Sequence, residues 1–297
     1  MGLIVYDIAF VGNYTKDTIV SAAGTRVVDG GAFNYGAHAA VQMGLRTAAV
    51  TRLAGEDWHV VEGLAHLGVD VFAEQTPHST CLRLEYPTAN VDERVIYVTS
   101  AAGTLTPQQV AAAPARVFVV GASFRGEAGL DLFEALAAKG TPIAADVQGF
   151  VRVVRDGKLV YEPWPAEERQ AILGYVRTLK SDAVEAEMLT GTADVHRAAR
   201  MLADMGPSEI VLTHRGGLLV YAGGRFHEAG FFPAQLVGRS GRGDTCLGSY
   251  VARRLTTPPG EATVWAAALT SLKMEAEGPF RRTTGEVEDL IRQKYSA

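Results

Sequence analysis

The sequence predicts an α/β protein of three layers, with a mainly parallel central sheet covered by helices and a small β lid attached. Three observations carry this reading. After Pro107, short apolar strand patterns alternate with helical patterns, as in parallel crossover units. Over residues 69–100 the pattern changes to β-branched runs joined by loops containing Pro77 and Asn90. The 297 residues are 47% hydrophobic and 21% charged, ample for one large core plus a small lobe.

Taken in order, residues 3–11 form an apolar first strand ended by Gly12-Asn13, and 19–28 have the β-branched content of a short strand pair. Residues 34–43 are small and helical in spacing, and stop at Gly44. A strand at 47–53 and a helix at 57–67, closed by Gly68, come next. Strands at 69–72, 81–86 and 94–98 join residues 13–30 to make the lid. Further strands are expected at 116–120, 141–145, 175–180 and 209–213, and helices at 127–138, 184–189 and 193–204. Gly223-Gly224 joins 218–221 to 225–229 as a hairpin. Helices at 244–255, 261–275 and 284–293 complete a single domain over 1–297.

The strongest chemical signal is Gly238-Arg239-Ser240-Gly241-Arg242-Gly243-Asp244, which opens an apolar helix. Glycines let successive N–H groups converge on one anion, and the helix dipole adds positive potential there. A carboxylate beside bound phosphate is electrostatically costly, so Asp244 suits a general base that takes a proton from an attacking hydroxyl. The same residues also suit a purely stabilising helix start. Gly30-Gly31-Ala32-Phe33-Asn34, followed by small residues through Ala40, is a second glycine-led helix start about two hundred residues upstream. Together the two stretches resemble the N-terminal signature and the Gly-Ala-Gly-Asp signature of the ribokinase-like (PfkB) carbohydrate kinases, in the order found there.

The resemblance spans nearly the whole chain and implies a ribokinase-like fold, ATP as phosphoryl donor, Mg²⁺ as cofactor and a sugar or polyol acceptor. It makes Asp244 the base, with Gly241, Arg242 and Gly243 as the anion hole. It also places Asp17, Gly30, Gly31 and Asn34 at the acceptor. A carboxylate and an amide suit adjacent hydroxyls, although a solvated Asp17 and a capping Asn34 are the plain alternatives. Asp182-Ala183-Val184-Glu185 is similar to the family's Asn-x-x-Glu motif, with Asp182 in place of Asn, and implies that Glu185 supports hydrated Mg²⁺. An acidic first turn complementing a helix dipole accounts for the same residues. The resemblance places Asp182, Thr213, Arg215 and Gly216 at the nucleotide, with altered glycine spacing after Thr213, and His214 reads as a loop residue. Gly238-Arg239 replaces the usual Asp-Thr, which removes the Asp of the monovalent-cation site found in some members. Asp146-Val147-Gln148-Gly149-x-x-Arg152 resembles inositol-kinase-like branches.

A net charge of −5 with dispersed basic residues gives no footprint for nucleic acid. Two cysteines without a CxxC pair disfavour thiolate metal sites and disulfides. No apolar run reaches about 20 residues and residues 1–10 lack a basic leader, so a cytoplasmic protein without membrane contact is expected. G-x-G-x-x-G and G-x-x-x-x-G-K-[ST] are both missing, against a dinucleotide oxidoreductase and a P-loop NTPase. The expected activity is phosphoryl transfer to a sugar or cyclitol such as myo-inositol. A nucleoside kinase and a non-catalytic sugar- or nucleotide-binding member are the alternatives, and a homodimer through the lid is a further expectation.

Overall fold

A computed structural model describes residues 5–22, 24–88 and 94–295. The chain begins β1 (Ile8–Val11), β2 (Thr15–Ser21), β3 (Gly24–Gly30), α1 (Ala32–Gln42), β4 (Thr47–Ala54), a 3₁₀ turn (Gly55–Asp57), α2 (His59–His66) and β5 (Asp70–Thr76). It continues β6 (Thr80–Glu85), β7 (Val95–Ser100), α3 (Pro107–Ala111), β8 (Phe118–Val120), α4 (Leu130–Ala137), β9 (Ile143–Asp146), α5 (Gln148–Val151), β10 (Arg152–Arg155) and β11 (Lys158–Tyr161). It ends α6 (Ala166–Leu173), β12 (Val176–Asp182), α7 (Ala183–Thr190), α8 (Val195–Ala203), β13 (Glu209–His214), β14 (Gly217–Ala222), β15 (Arg225–Gly230), α9 (Arg242–Arg254), α10 (Pro259–Met274) and α11 (Thr284–Lys294).

Nine strands form one sheet in the order β15-β14-β13-β12-β9-β8-β1-β4-β5. It is parallel from β13 to β5, with β14 and β15 antiparallel at one edge. All four residues of β1 are buried. Ala9 and Val11 enter one apolar cluster with Phe133 and Phe150, while Ile8 and Phe10 enter another with Phe33 and Tyr250. Alternate side chains of one strand therefore feed cores on both faces, the condition for a doubly covered sheet. The chain leaves β1 toward β4 on one side and returns to β8 on the other. Ligands bind outside the carboxyl ends of strands at such a switch point. No helix of the described residues is long and apolar enough to cross a membrane.

A second sheet has the order β10-β11-β7-β6-β2-β3. It is tied to the body by buried carboxylates. Glu127 accepts from Asn13 Nδ2 at 2.9 Å, Thr80 Oγ1 at 2.9 Å and Ser123 N at 2.7 Å. Asp57 accepts from Ser79 Oγ and pairs with Lys16 Nζ at 2.8 Å.

Several expectations need correcting. The sequence pattern places residues 69–72 in the lid, but β5 is the edge strand of the large sheet, paired in parallel with β4 from Ala48↔Asp70 onward. A β-branched run does not state which sheet it joins. The second sheet also includes the hairpin β10–β11, whose Lys158 pairs with Tyr97 of β7 and which follows a strand-end motif that reads as loop. Residues 107–111 and 166–173 are helices that the sequence reading did not assign. Glu127 precedes α4 rather than starting it. Leu3, Ile4 and the Asn90 loop lie outside the described residues.

Candidate active site

Gly241 is the N-cap of α9, with φ 71, a left-handed conformation that glycine adopts without steric cost. Gly243 and Asp244 lie in the first turn, whose N–H groups have no partner within a helix. The expectation that Arg242 also offers its N–H needs correcting, because Arg242 N donates to Arg239 O at 3.2 Å. A β-carbon on Gly243 would lie 2.8 Å from Lys180 Nζ. Glycine at this position thus lets a buried ammonium come up directly beneath the turn.

Lys180 is only 4% exposed, and Nζ lies 2.8 Å from Asp146 Oδ2 and 3.9 Å from Glu185 Oε2. Arg152 Nη2 approaches Glu185 Oε1 at 3.4 Å. Burial disfavours the Lys180 charge, yet Asp146, Glu185 and Asp182 outweigh it and raise its pKa. Burial lifts the Asp244 carboxyl above its ordinary range, opposed by Lys180, Arg152 and Lys273. Burial likewise raises Asp146 against Lys180, and pushes Glu185 up to about 7. The ends of β9 and β12 deliver Asp146 and Asp182, which is how residues far apart in sequence converge on the start of α9.

Glu185 and Asp182 form a capping box: Glu185 N donates to Asp182 Oδ1 at 2.8 Å and Asp182 N to Glu185 Oε2 at 2.9 Å. The acidic first turn is therefore structural in its own right. Among the described residues, no group of three or more His, Cys, Asp or Glu side chains is placed to hold a metal directly. The buried Glu185 and Asp146 carboxyls, whose pKa values burial raises, fit a hydrated Mg²⁺ contacted through water. Thr213 is buried at the end of β13, in register with Asp182. Arg215 and Gly216 lie beyond it on the β13–β14 turn, where Gly216 N donates to His214 Nδ1 at 3.2 Å. Among the described residues, no hydrogen bond or ion pair given for Arg215 or Gly216 joins them to the Lys180 cluster.

Asp17 belongs to β2 rather than to a loop, and is 9% exposed. A β-carbon on Gly30 would meet Thr15 Oγ1 at 2.3 Å and Asp17 Oδ2 at 2.8 Å, so this glycine keeps room for the carboxylate. Gly31 caps α1 with φ 95 and without a side-chain bond. Asn34 is therefore not the cap; it is 2% exposed and Nδ2 donates to Asp29 O at 3.3 Å. Helices α1 and α9 cross closely, a β-carbon on Gly248 lying 3.0 Å from Gly36 Cα and one on Gly241 lying 2.3 Å from the Tyr35 ring. That crossing locks the Asp17 and Asn34 region to the Asp244 turn. Asp244 in turn raises Asp17, after burial, to about 6.

Buried polar atoms without a hydrogen-bond partner gather here: Asp17 Oδ1, Tyr35 OH, Arg152 Nε and Thr245 Oγ1. Such atoms are uncommon and mark places where a polar ligand can complete the bonding. A cavity of about 620 Å³ between Phe231 and α11 contains none of them.

The family model for the pfkB family carbohydrate kinases matches residues 2–279. The chain belongs to this family. The kinase is similar to a pyrophosphate-dependent kinase in the ribokinase family seen in a sulfate complex, with 34% identity and TM-score 0.88 over 95% of this chain and 99% of that one. It is also similar to a pyrophosphate-dependent kinase in the ribokinase family complexed with a pyrophosphate analog and myo-inositol, with 33% identity and TM-score 0.87 over 95% and 99%. Arabidopsis thaliana ribokinase complexed with ribose and ATP shares the fold, with 18% identity and TM-score 0.77 over 97% and 99%. No curated protein matches the sequence. The kinase is thus a phosphotransferase with a hydroxyl acceptor. Asp146 and Arg152 belong to the motif that resembles inositol-kinase-like branches, without a role implied for either; Lys180 and Lys273 carry no sequence signal beyond their place at a strand end and in helix α10.

Asp17 also predicts a stability effect. Its folded pKa of about 6 lies above the model-peptide 3.8, so its contribution is fully present below about pH 4 and is lost as pH rises through 6. Asp17→Asn should therefore raise the unfolding free energy at pH 7.5 by on the order of 2 kcal/mol, while acceptor KM rises. Urea titrations at pH 4 and 7.5 check this. A variant less stable than wild type at pH 7.5 would oppose it.

Proposed function

We propose that the kinase transfers a phosphoryl group from pyrophosphate to a hydroxyl of a cyclitol such as myo-inositol, with Asp244 as general base. The observation that carries this is the placing of the Asp244 carboxyl in the first turn of α9, above buried Lys180, with Asp17 locked opposite through the α1–α9 crossing. The acceptor oxygen bonds to phosphorus as its proton passes to Asp244, and the bond to the departing phosphate breaks with that phosphate keeping the electron pair. Burial raises the Asp244 pKa, which makes its carboxylate a stronger base toward the acceptor hydroxyl. The first-turn N–H groups and the Lys180 ammonium receive charge on the transferring group. Asp17 and Asn34 accept from and donate to adjacent hydroxyls. Asp182 and Glu185 would hold Mg²⁺ through water, and the ion would supply neutralisation of donor-phosphate charge. The small sheet covers the acceptor and keeps water from competing for the phosphoryl group.

Pyrophosphate as donor is supported by the 33–34% identity to kinases described as using it. It also fits the site, since a donor without a base is held through its phosphates alone, and Lys180 and Arg152 supply buried positive charge beneath the turn. ATP is the second reading, favoured by the shared fold with a ribokinase that binds it. The test is kcat/KM for pyrophosphate and ATP, each against myo-inositol, ribose, fructose, adenosine and cytidine. The expected optimum is pyrophosphate with myo-inositol, by at least about tenfold over any ATP pairing. Turnover confined to ATP with nucleosides would replace this reading.

A further inference from the structure

Lys273, in the last turn of α10, is 2% exposed. Its ammonium does not end in a carboxylate pair. Nζ donates to Gly238 O at 2.9 Å and to Ser240 O, the carbonyls of the limb that enters the Gly241–Gly243 turn. The grip is reinforced by the next residue, because Val237 N and Gly238 N both donate to Met274 O, at 2.9 and 3.0 Å. The Lys273 ammonium also lies 5.3 Å from the centre of the Tyr35 ring, the ring that packs against Gly241.

Neutral side chains can tie two carbonyls together, whereas burying an ammonium costs far more than burying an amide unless the charge has a use. Here the charge stands behind a turn that receives phosphate. We propose that Lys273 is a tethered monovalent cation: it holds the Gly238–Ser240 limb in the shape that presents the first-turn N–H groups, and adds positive potential behind them, so that the turn needs no dissolved cation. Lys273 is a positioning residue in this account, and the proposal rests on reading Gly241–Gly243 as the phosphate-binding turn.

The groups facing the ammonium are Asp244 from α9, Tyr35 from α1, and Glu277 after α10, which is paired with Arg26 at 2.8 Å. Glu277 and Asp244 act on it through space only. Burial dominates and lowers the Lys273 pKa to about 8. The charge is thus present below pH 8 and lost above it. Between about 8 and the model-peptide 10.5 the unfolded chain binds the extra proton, so global stability should rise with pH while kcat falls. A merely structural tie would not separate these two readouts.

The experiment measures kcat in sodium, potassium and tetramethylammonium buffers of equal ionic strength, for wild type, Lys273→Met and Gly243→Ala. Wild type should show the same kcat in all three, within about twofold, and a kcat that declines above pH 8 while its melting temperature does not. Lys273→Met should lose about 10²-fold in kcat, the cost of a misplaced reacting group, with acceptor KM little changed. Ammonium or potassium, but not tetramethylammonium, should restore at least about tenfold of that loss, because the two freed carbonyls accept a small cation. Wild-type activation by potassium, an unimpaired Met variant, or a loss that no small cation restores would each overturn the proposal. If the Met variant does not fold, the wild-type cation and pH series decide alone. Failure of the underlying turn is distinguishable, since it would appear as wild-type kcat in Gly243→Ala.

Discussion

Asp244→Asn should lower kcat by at least about 10²-fold while the donor still binds. The amide keeps the shape of the carboxylate and its place in the first turn of α9 but cannot take the acceptor proton. It also removes a negative charge from beside Lys180, Arg152 and Lys273, which lower the Asp244 pKa against the effect of burial. Donor affinity should therefore hold or improve, because phosphate no longer approaches a carboxylate. The opposite split, with kcat retained and donor binding lost, would make Asp244 a binding residue instead. The pH dependence adds a second sign. A base must be ionised to act, so kcat/KM should rise with pH through the Asp244 pKa, which burial holds above the usual carboxylate range.

Lys180→Met should have the largest combined effect on activity and stability. Removing the ammonium leaves Asp146 and Glu185 buried, 2.8 and 3.9 Å from its former place. Breaking a buried pair on one side costs about 3–5 kcal/mol. Asp146 would then stand unpaired and Glu185 would keep only Arg152, beneath the donor phosphates, and kcat/KM for the donor should fall by about 10²–10³-fold. Acceptor KM should change far less, since Asp17 and Asn34 are held by β2 and α1. Lys180→Arg should recover part of the stability but not the rate, because the planar guanidinium is larger and Gly243 leaves room only for a compact head group. Equal losses toward donor and acceptor would place Lys180 in the scaffold rather than at the phosphates.

The sequence was most legible where local chemistry decides structure. The turn at Gly241–Asp244, the small helix after Gly31 and the strand-helix alternation after Pro107 follow from backbone freedom and hydrophobic period, which neighbours in sequence determine. Glu185 and Asp182 were legible as a motif, although their capping box showed only in the structure. Pairing between sheets was not legible. β5 and β6 look alike as apolar runs, yet one extends the large sheet and the other starts beside β2. The Lys180 cluster was hidden for the same reason, since a lysine at a strand end reads as solvated until Asp146 and Gly243 are seen to enclose it. Lys273 gave no signal in a helix that buries twelve of its residues. Long-range partners decide such residues.

The measurement closest to the central claim is phosphorus NMR of a reaction containing the kinase, Mg²⁺, pyrophosphate and myo-inositol. The account predicts a phosphomonoester resonance growing with orthophosphate in equal amounts, at a rate that falls by at least about 10²-fold in Asp244→Asn. Orthophosphate without phosphomonoester, or a phosphomonoester formed as fast by the Asn variant, would contradict it.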